Sequence, residues 1–215
     1  MNTTATTRRP LAAILIALAL TLTTLVLAAC GSDGDTSASP EPVGNGIDVA
    51  FVEDMVPHHQ SAVEMAEIAR ERGQSAFVKT LADDIIKAQN SEITVMNTAQ
   101  DDLEGVRKGT LGVPAHQMGM DTDTAMLRTA DPFDKAFIDM MVPHHQGAIR
   151  MARAEQAKGR SPTLKKLAGE IVSAQAREIR AMNGHREERF GAPSPAGGVP
   201  GSSPGDTMEA EGHDG

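Results

Sequence analysis

The hexapeptide Met-Val-Pro-His-His-Gln occurs twice in this chain of 215 residues, at 55–60 and again at 141–146. Imidazole nitrogen and thioether sulfur are soft, neutral donors, and together they suit copper, above all Cu(I). At about 100° per residue on a helix, Phe51, Met55, His58, Ala62, Met65 and Ala69 fall along one side. Met55 and His58 therefore lie within an apolar stripe, and His59 sits at its margin. A second stretch carries Gln89 and Glu92 as polar intruders among Val78, Leu81, Ala82, Ile85, Ile93 and Met96. If the two stretches run antiparallel and turn between Gly73 and Gln74, position 58 comes level with 89, and 55 with 92. Met55, His58, Gln89 and Glu92 then share one layer, and Met141, His144, Gln175 and Glu178 repeat the relation. Two readings fit that layer. One is a hydrogen-bonded polar network with methionines as flexible filler; the other is a metal site.

The elements that must position these residues follow from an internal repeat. Residues 51–97 align without gaps onto 137–183 at a constant offset of 86. The matches run from Phe51/Phe137 through Met65/Met151, Gly73/Gly159 and Gln89/Gln175 to Met96/Met182. Each copy reads as helix, tight turn, helix. Asp131-Pro132 is a start signal, and Gly159 followed by Ser161-Pro162 ends one helix and caps the next. The spacing predicts helices over about 48–72, 75–102, 131–158 and 161–190, with a connection over 103–130 that is long for a helix–helix loop. Two such hairpins joined by a long crossover make an all-α, ferritin-like four-helix bundle over residues 47–190. Pro57 and Pro143 lie inside the helices and are expected to kink them. The crossover carries His116, Met118 and Met120, then Met126. These are either a second, exposed metal site or the methionines of an ordinary loop. His185 has no histidine partner at position 99 and is read as structural.

Residues 1–29 read as an export signal: Arg8 and Arg9, an apolar run from Leu11 to Leu27, then Leu27-Ala28-Ala29-Cys30. The last four residues resemble the lipobox of bacterial lipoproteins, in which the cysteine is acylated after cleavage. That resemblance implies a palmitate-type anchor at Cys30 on the outer face of the bacterial cell membrane. Cys30 is the single cysteine, so disulfides, iron–sulfur clusters and thiol nucleophiles are excluded. For an exported chain, a thioether has the further merit that it cannot be lost to a disulfide. Residues 30–46 read as a flexible linker, and residues 191–215, Gly/Pro/Ser-rich with four acids, as a disordered tail. Removing the signal takes away two arginines and no acid, moving the net charge from −9 to −11. Nucleic acid is a poor partner for such a chain, and cations are natural ones.

The motifs Met-Val-Pro-His-His-Gln-x-Ala-x-x-Met-Ala and Gln-x-x-Glu-Ile-x-x-Met resemble the domain of unknown function 305 family, over about residues 47–190. The resemblance implies a ferritin-like, His/Met-rich exported bundle, with members implicated in copper binding and copper resistance. Carried onto this chain, the motif ligands are Met55, His58, His59, Met65 and Met96, with Met141, His144, His145, Met151 and Met182. Gln89, Glu92, Gln175 and Glu178 would stand behind them. Where many relatives place an aromatic residue after the second motif, this chain has Thr98-Ala99 and Gly184-His185.

The leading expectation is a non-enzymatic lipoprotein that sequesters or hands on copper outside the cytoplasm. One alternative is a di-iron or di-manganese carboxylate oxidase. That chemistry needs Glu-x-x-His pairs, which this sequence lacks. Another is a structural or partner-binding lipoprotein without metal. Anchoring is checked by Cys30→Ser: the variant should leave the membrane fraction or stay unprocessed. Membrane association at the mature size would refute a lipid anchor.

Overall fold

The computed structural model describes residues 43–201, and its regular elements are all helical. Helices α1 (Gly46–Arg72) and α2 (Ala76–Gln100) form one hairpin, and α4 (Phe133–Lys158) and α5 (Pro162–Phe190) form the other. The crossover contains two single 3₁₀ turns, Asp101–Leu103 and Ala115–Gln117, and a short helix α3 (Thr124–Thr129). Each hairpin closes on itself, α1 packs on α4, and α2 meets α5 more lightly, giving a four-helix bundle. Residues 1–42, with the expected signal and Cys30, and residues 202–215 lie outside the described residues. Among the described residues no helix is long and apolar enough to cross a membrane.

The helix starts follow local chemistry. Asn45 caps α1 by accepting from the amides of Ile47 and Asp48, while Ser75 and Ser161 cap α2 and α5. The start of α4 differs from expectation. The helix begins at Phe133, and neither Asp131 nor Pro132 provides a side-chain cap. The acid in its first turn, Asp134, is directed elsewhere: it accepts from the amides of Gln74 (2.7 Å) and Ser75 (2.8 Å) in the other hairpin's turn. Asp48 does the reverse, accepting from Ser161 (2.7 Å) and Arg160 (3.0 Å). These two buried acids, 86 residues apart, thus satisfy the orphan amides at the start of each other's second helix. Both α1 and α4 continue unbroken through Pro57 and Pro143.

The core is divided. One apolar cluster joins Val49–Met55 of α1 and Met96–Ala99 of α2 to Ala148–Ala152 of α4 and Leu164–Ile171 of α5. The other joins Ala62–Ala69 and Val78–Ile85 to Phe133–Val142 and Ala176–Met182. The paired histidines of both repeats belong to the stretch between them. Antiparallel packing of α1 on α4 explains the division, since the start of one helix meets the end of the other.

The expected disorder of 191–215 does not hold for residues 191–201, which fold back on the second hairpin. Gln146 donates to the carbonyls of Ala196 (2.8 Å) and Gly198 (2.7 Å), Asn183 to Gly197 (2.8 Å), and Arg186 to Pro193 (2.8 Å). Val199 is buried in the second cluster. Composition registered the Pro and Gly content of this strap and was blind to the side-chain donors waiting for its carbonyls. The linker likewise ends sooner than expected, because Asn45 already caps α1 and donates to the Lys158 carbonyl (2.9 Å).

One acid has no counterpart in the first repeat. Glu155, opposite Ala69 in the alignment, is fully buried, and neither of its oxygens finds a donor. Burial, and then the adjacent Asp48 carboxyl, push Glu155 from 4.5 up to about 8. Asp48 itself is held below the usual range, because the amides of Asn45, Arg160 and Ser161 outweigh the effect of burial. Above about 4.5 the unfolded chain gives up the Glu155 proton while the folded protein keeps it. The folded state thereby loses stability as pH rises through about 8. Thermal melts of wild type and Glu155→Gln should diverge from about pH 5 upward, with the wild type falling relative to the variant. Parallel stability curves would refute a buried, protonated Glu155.

Candidate metal centre

All four motif histidines are buried. His58 of α1 and His144 of α4 face each other across the helix contact, with ring centroids 3.7 Å apart. His59 and His145 turn instead toward their own hairpin partners. His59 Nε2 meets Glu92 of α2 at 2.7 Å, and His145 Nε2 meets Glu178 of α5 at 2.6 Å. Two neighbours on a helix point about 100° apart, and in a four-helix bundle both directions lead inward. This corrects the expectation that His59 and His145 are marginal. It also changes the layer's pairing: Glu92 and Glu178 serve the second histidine of each pair, not the first. A single-stripe picture misses this because each helix has two interior neighbours.

The ring nitrogens show what protein groups leave undone. His58 Nε2 lies 2.9 Å from the Met118 carbonyl, so it carries the proton and Nδ1 is the open lone pair. His59 and His145 donate Nε2–H to carboxylates and likewise present Nδ1. Neither nitrogen of His144 has a partner. Among the described residues, eight of the ten buried side-chain atoms without a hydrogen bond belong to these four histidines and to Gln89 and Gln175. A satisfied polar network leaves few such atoms, whereas here they gather on the motif histidines and the two glutamines. Burial, then the nearby His59, pushes His58 down to about 3. Burial, then His58, holds His144 well below its ordinary 6.5. Both rings are neutral at physiological pH, which is the form that binds metal.

The motif methionines divide between the two apolar clusters. Met55, Met96 and Met151 lie in one apolar cluster and Met65, Met141 and Met182 in the other, and all six are buried. Under the offset of 86 the two trios exchange. Each takes two methionines from one repeat and the third from the other, so neither trio exists in an isolated hairpin. Among the described residues, no three His, Asp or Glu side chains converge on one point. A carboxylate-rich di-metal centre therefore has no counterpart there, and a metal in this layer would draw on thioethers and paired imidazoles, the donors of soft Cu(I) or Ag(I).

The crossover lies against the same layer. Met118 is half-buried and contributes its carbonyl to His58, while His116 and Met120 are exposed. A β-carbon on Gly147 would fall within 2.2 Å of the Met118 backbone, and one on Gly119 within 2.8 Å of the His144 backbone. Glycine at these two positions is what lets the crossover seat on α4. His185 stacks on Phe77, with centroids 4.3 Å apart. Sequence reasoning missed Asp48 and Asp134, although the repeat identity extends to that pair. It had no signal for the Met118 carbonyl.

Comparison with known proteins places the chain in a family and agrees with the helical fold. A family model described as Domain of unknown function (DUF305) matches residues 48–186. The solved structure of CopM in the Cu(I)-bound form is 34% identical, covers 66% of this chain and 97% of its own, and superposes with a TM-score of 0.57. CopM in the Cu(II)-bound form, also 34% identical, covers 66% of this chain and 97% of its own with a TM-score of 0.60. A DUF305 fragment from Deinococcus radiodurans is 31% identical, covers 68% and 99%, and gives 0.59. Among curated proteins, an uncharacterised protein of Acanthamoeba polyphaga mimivirus is 38% identical over 56 residues, 26% of this chain and 37% of that protein.

The two histidine types should respond differently to substitution in metal-free protein. His144→Leu removes two unpaired buried nitrogens and should leave stability to chemical denaturation unchanged or higher. His145→Ala strips Glu178 of its partner and opens a gap, and should cost about 1–3 kcal/mol. Equal losses in denaturant titrations would contradict the division into paired and unpaired rings.

Proposed function

The chain belongs to the DUF305 family, and on that premise we propose that it is a copper-binding lipoprotein that holds Cu(I) for sequestration or transfer outside the cytoplasm. The observation that carries this reading is the layer of buried imidazole nitrogens without hydrogen-bond partners, set between two methionine-bearing apolar clusters. Copper here is cargo, and the protein's part is to bind it rather than to turn anything over. His58 and His144 supply neutral nitrogen at the contact between α1 and α4. His59 and His145 are oriented by Glu92 and Glu178, the arrangement that fixes tautomer and ring direction in metal-binding histidines. The thioethers of each trio add donors that no proton competes for. The copper- and silver-bound states named for CopM support copper as the ligand. The lipid anchor at Cys30 and the position outside the cytoplasm are supported by the sequence pattern of residues 1–30.

Met→Leu substitution separates ligand from filler. Leucine nearly conserves volume, so at a packing position it costs less than about 1.5 kcal/mol and leaves metal affinity alone. Leucine at both Met55 and Met141, one methionine from each trio, should weaken Cu(I) binding at least about tenfold in competition with a Cu(I) chelator, a loss of about 1.4 kcal/mol. The helical circular dichroism should stay intact. Undiminished affinity in the folded double variant would return the methionines to packing.

A further inference from the structure

Outside the buried layer, the crossover and α4 line an open cavity of about 490 Å³. Three soft donors line it: the imidazole of His116 and the thioethers of Met126 and Met140. All three stand apart from the repeat motifs. Met140 aligns with Asp54, and His116 and Met126 lie in the crossover, which has no counterpart in the repeat. Met126 is 62% exposed on α3, where a thioether gains nothing from packing. The charged groups of the same wall are already committed. Asp139 accepts from Arg186 (2.6 Å) and Lys135 (2.8 Å), so neither the carboxylate nor the lysine competes for a ligand in the cavity. Asp121 is a further lining acid and is exposed, so a cation arriving there meets negative charge first. Gly119 and Pro143, where the crossover rests on α4, also line the cavity, and His144 is not among its lining residues.

We propose that His116, Met126 and Met140 form a second, solvent-open site for a soft monovalent cation, Cu(I) or Ag(I), separate from the buried histidine layer. One imidazole and two thioethers are a low-coordination soft set, poorly suited to Mg²⁺, Ca²⁺ or Zn²⁺. The site does not contain Met118 or Met120. Placing Met126 and Met140 with His116 is the work of α3, which brings residue 126 back over the start of α4. Because its donors differ from those of the buried layer, either site can fail without the other.

The test is a titration of the full chain, labelled with ¹³C at the methionine methyls, with Ag(I) as a redox-inert probe. Single Met→Leu variants assign the signals. We expect the Met126 and Met140 methyls to shift together, with the His116 ring, and to saturate at one equivalent. His116→Ala combined with Met126→Leu and Met140→Leu should lose that one equivalent and keep the shifts of the six buried methionines. If the buried methionines respond while Met126 and Met140 stay still, the cavity site is refuted and the buried copper layer stands. If only Met126 and Met140 respond, the cavity site stands and the buried layer falls. Equal shifts on adding Zn²⁺ would overturn the assignment to a soft cation.

Discussion

Where α1 crosses α4, two neutral imidazoles stand with ring centroids 3.7 Å apart and planes tilted by 38°, and the surrounding structure is arranged to keep them there. Burying polar nitrogen without partners is costly, on the order of 1–3 kcal/mol per group. That cost is tolerable only inside a frame that is rigid on both sides. The two apolar clusters provide it, one on each side of the layer, each drawing on all four long helices. The carboxylates of Glu92 and Glu178 add orientation by anchoring the second ring of each pair. What results is a pre-organised set of lone pairs in a dry setting, held neutral by burial itself.

The frame is closed by reciprocal contacts. Asp48 satisfies the turn of the second hairpin and Asp134 that of the first, so each hairpin completes the other at its ends as well as in its core. The methionine trios obey the same rule, because each borrows its third member across the repeat. Duplication alone would have left two equivalent hairpins, and the chain has since made them unequal. Gly147, in place of Ser61, admits the crossover onto α4. Gln146 holds the strap at 196–198, while the matching Gln60 faces solvent. Glu155, in place of Ala69, adds a buried proton beside Asp48.

Much of this was legible in the residues because helical periodicity and an exact repeat are one-dimensional signals. The 3.6-residue stripe, the serine caps and the offset of 86 suffice for four helices, two hairpins and a bundle. They also pick out the histidines, the six methionines and the glutamates as a set. Partnership was not legible. Whether Glu92 meets His58 or His59 depends on which of two inward directions faces which neighbour, and only the packing of α1 on α4 and α2 decides it. The same holds for the strap at 191–201, whose low-complexity composition says nothing of Gln146, Asn183 and Arg186 waiting to bind its carbonyls. The sequence by itself determined the elements and the donor types, since those depend on local spacing. Tertiary structure alone decided which donors share a layer, which nitrogens are left open and which loops lie over them, since those depend on contacts between residues far apart in the chain.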